Sequence, residues 1–335
     1  MMKAVILNGP GSVTVGEFPT PLPKAGEVRV RVAFCGICGS DFHKVAGRKN
    51  TRPVRYPVPL GHEISGVVES VGEGVTAFCP GDAVTVDPNW SCGRCRYCQN
   101  GQRSFCENSR GVVKGMAEYV VAPQENVYRL PTGLSLRDAA LCEPLACCLH
   151  GMDQLDVRQG ESVALVGLGS IGAIMLQLIR AAGAGEILVI DANEARRTLA
   201  LELGATAFLN ARDADAIAAY AKTHPVMRVM ECVGVGAAQQ TALEVAGRGA
   251  TVVMFGVSDA AQTLPLSLYD VFYKELTIKA SFINPNTTHR ALQLLAGGTL
   301  AVDKILAGEI TMEEAAAEML SPTLSRQGKV LVRVN

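Results

Sequence analysis

Ser162-Val163-Ala164-Leu165-Val166-Gly167-Leu168-Gly169-Ser170-Ile171-Gly172 decides how the middle of this 335-residue chain folds. The first five residues read as a buried strand. The G-x-G-x-x-G run that follows opens an apolar helix predicted to continue to about Ala182. Gly167 permits the tight turn, Gly169 lets the backbone approach a pyrophosphate, and Gly172 lets the helix pack on the strand. The unpaired N–H groups where the helix begins, at Ser170 and Ile171, point the positive dipole end at a phosphate. The next strand, Glu186–Asp191, closes on an acid 19 residues after Gly172. Asp191 stands where a carboxylate binds ribose hydroxyls. A glycine turn alone is common; strand, turn, helix, strand and acid together predict a dinucleotide cradle.

Working outward, short strands at Ala205–Leu209, Arg228–Cys232 and Thr251–Phe255 alternate with helices over Ala214–Lys222 and Ala237–Ala246. That alternation predicts an α/β domain with a doubly wound parallel sheet covered on both faces. Upstream of Gly160 the texture is β-rich. Val28, Val30, Val32 and Phe34 alternate with Arg29, Arg31 and Ala33, and strand-like runs recur at Gly66–Val71, Ala83–Val86 and Glu118–Val121 between Gly and Pro punctuation. Past Phe282 come a helix over His289–Leu295, a helix opened by the capping box Thr311 to Glu314, and a final strand Lys329–Val334. The expected organisation is one β-rich domain, residues 1–150 plus 283–335, with a nucleotide-binding domain, 151–282, inserted.

Composition sets limits. A net charge of -1 argues against a basic surface for nucleic acid, and no apolar run approaches the roughly 20 residues of a membrane span. Eleven cysteines, an odd number, with no signal segment ahead of them point to a cytoplasmic chain using thiols for metal rather than for a disulfide framework. Cys92, Cys95, Cys98 and Cys106 follow C-x2-C-x2-C-x7-C within a loop-like lobe at about 87–108. Four sulfurs suit a closed tetrahedral zinc site, which leaves no place for substrate and is therefore structural. A disulfide pair and an iron–sulfur cluster are the alternatives; the ferredoxin run would end x3-C-P, and here Glu107 follows Cys106. Cys35, Cys79, Cys142, Cys147, Cys148 and Cys232 read as small buried hydrophobes.

A second set of metal-type residues stands apart from the lobe. Cys35-Gly36-Ile37-Cys38-Gly39-Ser40-Asp41-Phe42-His43 is followed by Gly61-His62-Glu63 and later by Cys142-Glu143-Pro144-Leu145. Singly, each reads as structural. Together with the lobe and the glycine turn, in this order, they resemble the zinc-dependent medium-chain dehydrogenase/reductase family, in its polyol or sorbitol-type branch. The resemblance covers nearly the whole chain.

It implies a GroES-like catalytic domain carrying the inserted Rossmann domain, two zinc ions per chain, NAD, and a homodimer or homotetramer. It makes Cys38 and His62 catalytic zinc ligands, Glu63 a third ligand or close partner, and Glu143 the occupant of a position where many alcohol dehydrogenases carry a cysteine ligand. Ser40 would take the alcohol proton and relay it through the cofactor ribose to His43, and Arg196 matches an arginine that accompanies NAD in this branch. The implied reaction interconverts a secondary alcohol of a polyol or sugar-like substrate and a ketone. Sorbitol-type members commonly carry Phe-Arg-Tyr where this chain has Phe282-Ile283-Asn284, so a different polyol, a smaller alcohol or an amino alcohol stays open. An L-threonine 3-dehydrogenase and a non-catalytic NAD/zinc redox sensor are the rival readings.

Overall fold

The computed structural model describes residues 1–48, 53–112 and 114–335, in two compact units. The first contains Met1–Ala146, Asn284–Gly298 and Leu306–Asn335. Its spine is the strand Glu27–Gly36, whose alternating valines are wholly buried on one side. Glu63–Val71 pairs with it antiparallel on one edge, followed outward by Ala83–Val86 and Val127–Arg129. On the other edge lie Lys329–Arg333 and Leu306–Ile310, and Tyr119–Pro123 also pairs with the spine. The ladder slips twice, between Arg29 and Val30 and between Val32 and Phe34. Such bulges bend a sheet and increase its twist, which suits a partly closed barrel. A smaller sheet sets Met2–Gly9 between Ser12–Phe18 and Val58–Pro59. The core is rich in β-branched residues, Val5, Val28, Val30, Val32, Ile64 and Val84 among them, as expected of pleated surfaces packed face to face.

The second unit contains Cys147–Ile283 and Thr299–Ile305. Six parallel strands lie in the order Ala207–Asn210, Glu186–Asp191, Ser162–Val166, Val226–Glu231, Ala246–Met254, Thr277–Ala280. Numbered along the chain this is 3-2-1-4-5-6, the doubly wound order with its switch between the first and fourth strands. Ligands of such sheets sit beyond the strand ends at that switch, and Gly167 follows the first strand there.

One short segment is grouped otherwise than the expected division. Residues 299–305 pack with the second unit rather than the first: the Ala301 N–H donates to Gln177 at 2.7 Å, and Lys304 pairs with Glu202 at 2.7 Å. A short segment between two helices of a β-rich domain carries no sequence mark of that docking.

Candidate active site

The central ladder brings the first set of donors together. Gly36 stands opposite Glu63 and Cys35 opposite Ile64. Cys38, two residues past one strand end, therefore meets His62, one residue before its partner strand begins. Asp41, fully buried, ties the two turns. Its carboxylate accepts the N–H of Cys38 at 3.3 Å, the N–H of Gly61 at 3.4 Å, and the Lys44 ammonium at 3.0 Å. Gly61 has φ +84° and is hemmed in by Cys35 and Met116, so a side chain there would displace the turn that presents His62. One ligand atom each from Cys38, His62 and Glu63 lies within 4.8 Å of the others.

The chemistry of this group fits a soft divalent cation. His62 Nδ1 is buried without a hydrogen-bond partner, 3.6 Å from Asp41 Oδ1. Burial opposes a charge on the imidazole, yet the Asp41 carboxylate and the Cys38 thiol outweigh it and raise the histidine well above its ordinary value. A site that draws a proton onto a buried imidazole has a surplus of negative potential, and a thiolate, an imidazole and a carboxylate are the donors zinc takes. Where an aqueous site leaves one coordination position open, it is a catalytic rather than a structural arrangement.

Lys329 is the residue the sequence did not disclose. Its ammonium donates to both Glu63 oxygens at 2.7 Å and to the Ile37 carbonyl at 3.0 Å, with both side chains buried. Burial works against the charged amine, but Glu63 and then Cys38 hold its proton, pushing it up to about 12. Lysine opens the apolar strand Lys329-Val330-Leu331-Val332, and only its placement before a buried run could have hinted at an internal partner.

Glu143 lies outside the group of three donors. It is the second residue of the helix Cys142–Leu155 and is buried. Burial raises its carboxyl to about 7, with His62 pulling it down and Glu63 pushing it up, so it shares the field of the cluster. Ser40 and His43 sit three apart on the helix Gly39–Val45, which places them on one face, both half-buried.

The four lobe cysteines converge too. One sulfur from each lies within 4.8 Å of the others. A tetrahedral zinc with Zn–S near 2.3 Å needs sulfurs roughly 3.8 Å apart, a separation that lies within this bound. The Cys92 N–H points at Cys106 Sγ at 3.3 Å, and Asn108 donates to Cys92 Sγ at 3.6 Å. The Arg94 N–H, then Asn108, lower the Cys92 thiol to about 6, while burial and the neighbouring thiols raise Cys98 to about 11. Crowded sulfurs that cannot all ionise alone are what a shared cation relieves. All eleven cysteines are unbridged.

In the second unit, Gly167 takes φ +93°, and Gly172 packs so close to the Gly167 carbonyl that no side chain fits. The helix Ser170–Ala181 begins immediately after Gly169, with Ser170 and Ile171 in its first turn. Asp191 is 6 % exposed and engaged from three sides: by the Leu168 N–H at 2.6 Å, the Asn193 N–H at 2.7 Å and the Arg196 guanidinium at 2.9 Å. It thus fastens the glycine turn to the end of its own strand. Glu231 does the same one strand over and was not anticipated: Oε1 accepts the Val233 and Gly234 N–H groups at 2.6 and 2.7 Å, while Oε2 is buried without a partner. An acid closing a strand beside the switch was the available signal.

Comparison with known proteins identifies the family. The alcohol dehydrogenase GroES-like domain family matches residues 24–132, and the zinc-binding dehydrogenase family matches residues 170–297. Sorbitol dehydrogenase of Bacillus subtilis is 30 % identical over 327 residues, covering 95 % of this chain and 92 % of that one. L-idonate 5-dehydrogenase of Vitis vinifera is 31 % identical over 336 residues, covering 96 % and 91 %. Among solved structures, a zinc-binding dehydrogenase from Sinorhizobium meliloti 1021 bound to NADP superposes with a TM-score of 0.93 at 37 % identity, over 99 % of each chain.

Proposed function

The chain belongs to the zinc-dependent medium-chain dehydrogenase family, and on that premise we propose that it is an NAD-dependent dehydrogenase of the polyol branch. It moves a hydride between the carbinol carbon of a secondary alcohol in a polyol or sugar-like substrate and the nicotinamide, leaving a ketone. The observation that carries this reading is the group Cys38, His62 and Glu63, assembled where the two central strands end, with Ser40 and His43 on the adjoining helix.

Cys38 and His62 would hold a catalytic zinc, with Glu63 and Glu143 as its acidic neighbours. When bound, that ion polarises the substrate oxygen and lowers the pKa of its hydroxyl towards neutrality. Asp41 orients both ligand-bearing turns. Lys329 satisfies both oxygens of Glu63, which keeps the net charge of the cluster from becoming prohibitive. Ser40 would accept the departing hydroxyl proton as it gives up its own, which would pass by way of the cofactor ribose to His43. Cys92, Cys95, Cys98 and Cys106 would hold the second, structural zinc.

In the other unit, Gly167, Gly169, Ser170, Ile171 and Gly172 would receive the pyrophosphate, with Asp191 and Arg196 at the adenosine ribose. A carboxylate there favours NAD, because the 2′-phosphate of NADP brings like charge. Arg196 already pairs with Asp191 and tempers that rejection, which accords with an NADP-bound structure at 37 % identity. Relatives named for a polyol and a sugar acid do not favour the threonine 3-dehydrogenase reading.

We also infer a cytoplasmic homo-oligomer. No helix among the described residues is long and apolar enough to cross a membrane. The helix Leu268–Lys274 exposes Leu268, Tyr269, Phe272 and Tyr273 beside the edge strand Thr277–Ala280, and such an apolar edge suits burial against a second copy.

The test is turnover of polyols, sugar acids, simple alcohols and threonine, followed through NADH absorbance and repeated with NADP. A polyol or sugar acid should be oxidised, with NAD favoured about tenfold in kcat/KM, which is about 1.4 kcal/mol. Cys38→Ser should lose at least a thousandfold in kcat while the protein stays folded. No turnover of any alcohol by a chain with full zinc and bound NAD would leave the redox-sensor reading in its place.

A further inference from the structure

Glu231 takes no part in the chemistry described above, yet it is wholly buried beside the switch of the second unit's sheet. It closes the fourth strand, next to the first strand, whose end carries the glycine turn. The side chain turns back onto its own chain: Oε1 accepts the Val233 N–H at 2.6 Å and the Gly234 N–H at 2.7 Å. Its main-chain carbonyl accepts the N–H groups of Phe255 and Gly256, both at 2.9 Å. One residue thus ties the turn Cys232–Gly234, after the fourth strand, to the turn Phe255–Val257, after the fifth.

These turns touch each other and the glycine turn. Gly234 lies against the backbone of Val257, and Gly256 against Gly234, with no room for a side chain at either. Val233 stands over Gly167, so that a side chain there would strike its Cγ2. What the two turns show to solvent is apolar, Val233 being 46 % and Val257 73 % exposed. Apolar side chains placed beyond the strand ends at a switch are the lining that a bound ring covers. The sheet order fixes which ring. Asp191 ends the second strand, at the adenosine ribose, and the pyrophosphate belongs over the turn after the first. The other half of the dinucleotide therefore runs over the fourth and fifth strands.

We propose that Glu231 is a positioning residue for the nicotinamide half of the cofactor, acting through the turns Cys232–Gly234 and Phe255–Val257. This rests on the dinucleotide reading and adds a residue to it. A hydride is transferred only from a ring held in a narrow range of orientations, so the wall behind the ring has to be fixed. Glu231 fixes it by giving two turn N–H groups the acceptor that a buried donor requires. The negative charge is not what the turns use. Oε2 has no partner among the described residues, and burial raises the carboxyl above its ordinary value although the Gly234 and Val233 N–H groups lower it. A neutral oxygen at the place of Oε1 serves equally.

The experiment titrates the zinc-loaded, full-length chain with NADH and, separately, with AMP, which carries the adenosine half alone. Glu231→Ala should raise the Kd of NADH about tenfold, the effect of one or two lost backbone hydrogen bonds, and leave that of AMP unchanged. Glu231→Gln keeps an oxygen at the place of Oε1 and should bind both ligands as the parent does. Asp191→Ala, at the other end of the crevice, should weaken AMP and NADH alike. Should Glu231→Ala not fold, Glu231→Asp takes its place: its carboxylate falls one methylene short, and NADH should weaken several-fold with AMP again unchanged. A role in stability alone would lower the unfolding midpoint without separating the two ligands. Equal losses for NADH and AMP, an unchanged NADH affinity in a folded variant, or a Glu231→Gln no better than Glu231→Ala overturns the proposal and leaves the dinucleotide reading standing. A parent chain that binds neither NADH nor AMP removes both.

Discussion

Lys329 and Glu63 show how much one buried contact can carry. Two opposite charges are taken out of water together, and each removes the other's penalty rather than adding much net stability. The sign of a single substitution follows. Lys329→Met leaves a fully buried carboxylate with no cation in the metal-free chain, and should cost about 3–5 kcal/mol, read as a lower midpoint in urea unfolding. Lys329→Met combined with Glu63→Gln should recover most of that loss, because neither charge is then stranded. If the double variant were as unstable as the single one, the lysine would be acting through packing alone. Cys38 and His62 were legible in the sequence because short motifs mark them. Lys329 was not, since its partner lies 266 residues away along the chain and no local pattern records a pairing of that range.

Elements were legible in proportion to how regularly they bury. Ala83–Val86, Ser162–Val166 and Glu186–Asp191 have the predicted bounds, each being a compact apolar run closed by a turn residue. The edge strand Thr277–Ala280 was missed because it is exposed along most of its length and so shows no alternation. The capping box at Thr311 was read correctly, and the helix it opens, Met312–Leu320, ends in a clasp that was not. Glu318 accepts the Thr323 N–H at 2.9 Å, the Ser325 N–H at 2.8 Å and the Thr323 hydroxyl at 2.9 Å. Burial opposes its charge, but these donors prevail and hold the carboxyl below its ordinary value. A carboxyl depressed in the folded state contributes stability above the unfolded value of about 4.5, and that contribution is lost as pH falls through the folded value. Glu318→Gln should therefore cost about 1–3 kcal/mol near neutrality and progressively less below about pH 4, measured by urea unfolding against the parent chain. An equal deficit at every pH would mean that the charge is not what the clasp uses.

At the scale of the whole molecule, two surfaces lack the burial that the cores supply. One is the apolar edge around Phe272, which is 79 % exposed. Phe272→Glu should shift the sedimenting species to the monomer while each chain stays folded; a monomeric parent chain would dismiss the inferred oligomer. The other is the cysteine lobe. From Asn89 to Gly111 only Ser104 and Cys106 are buried, so these residues have almost no apolar interior to hold them. A lobe so short of core must take its folding free energy from the metal, whereas the group Cys38, His62 and Glu63 rests on a hydrogen-bonded ladder that forms without one. The two metals should thus be separable. Elemental analysis should find two zinc ions per chain. Mild chelation should remove one, abolishing turnover with an unfolding midpoint close to the parent's, and added zinc should restore activity. Cys95→Ser should instead lower the midpoint, loosen the lobe to proteolysis and leave the catalytic zinc in place. Loss of both ions in one step, or a single zinc in a fully active chain, would show that the molecule does not divide its metal work between a closed site and an open one.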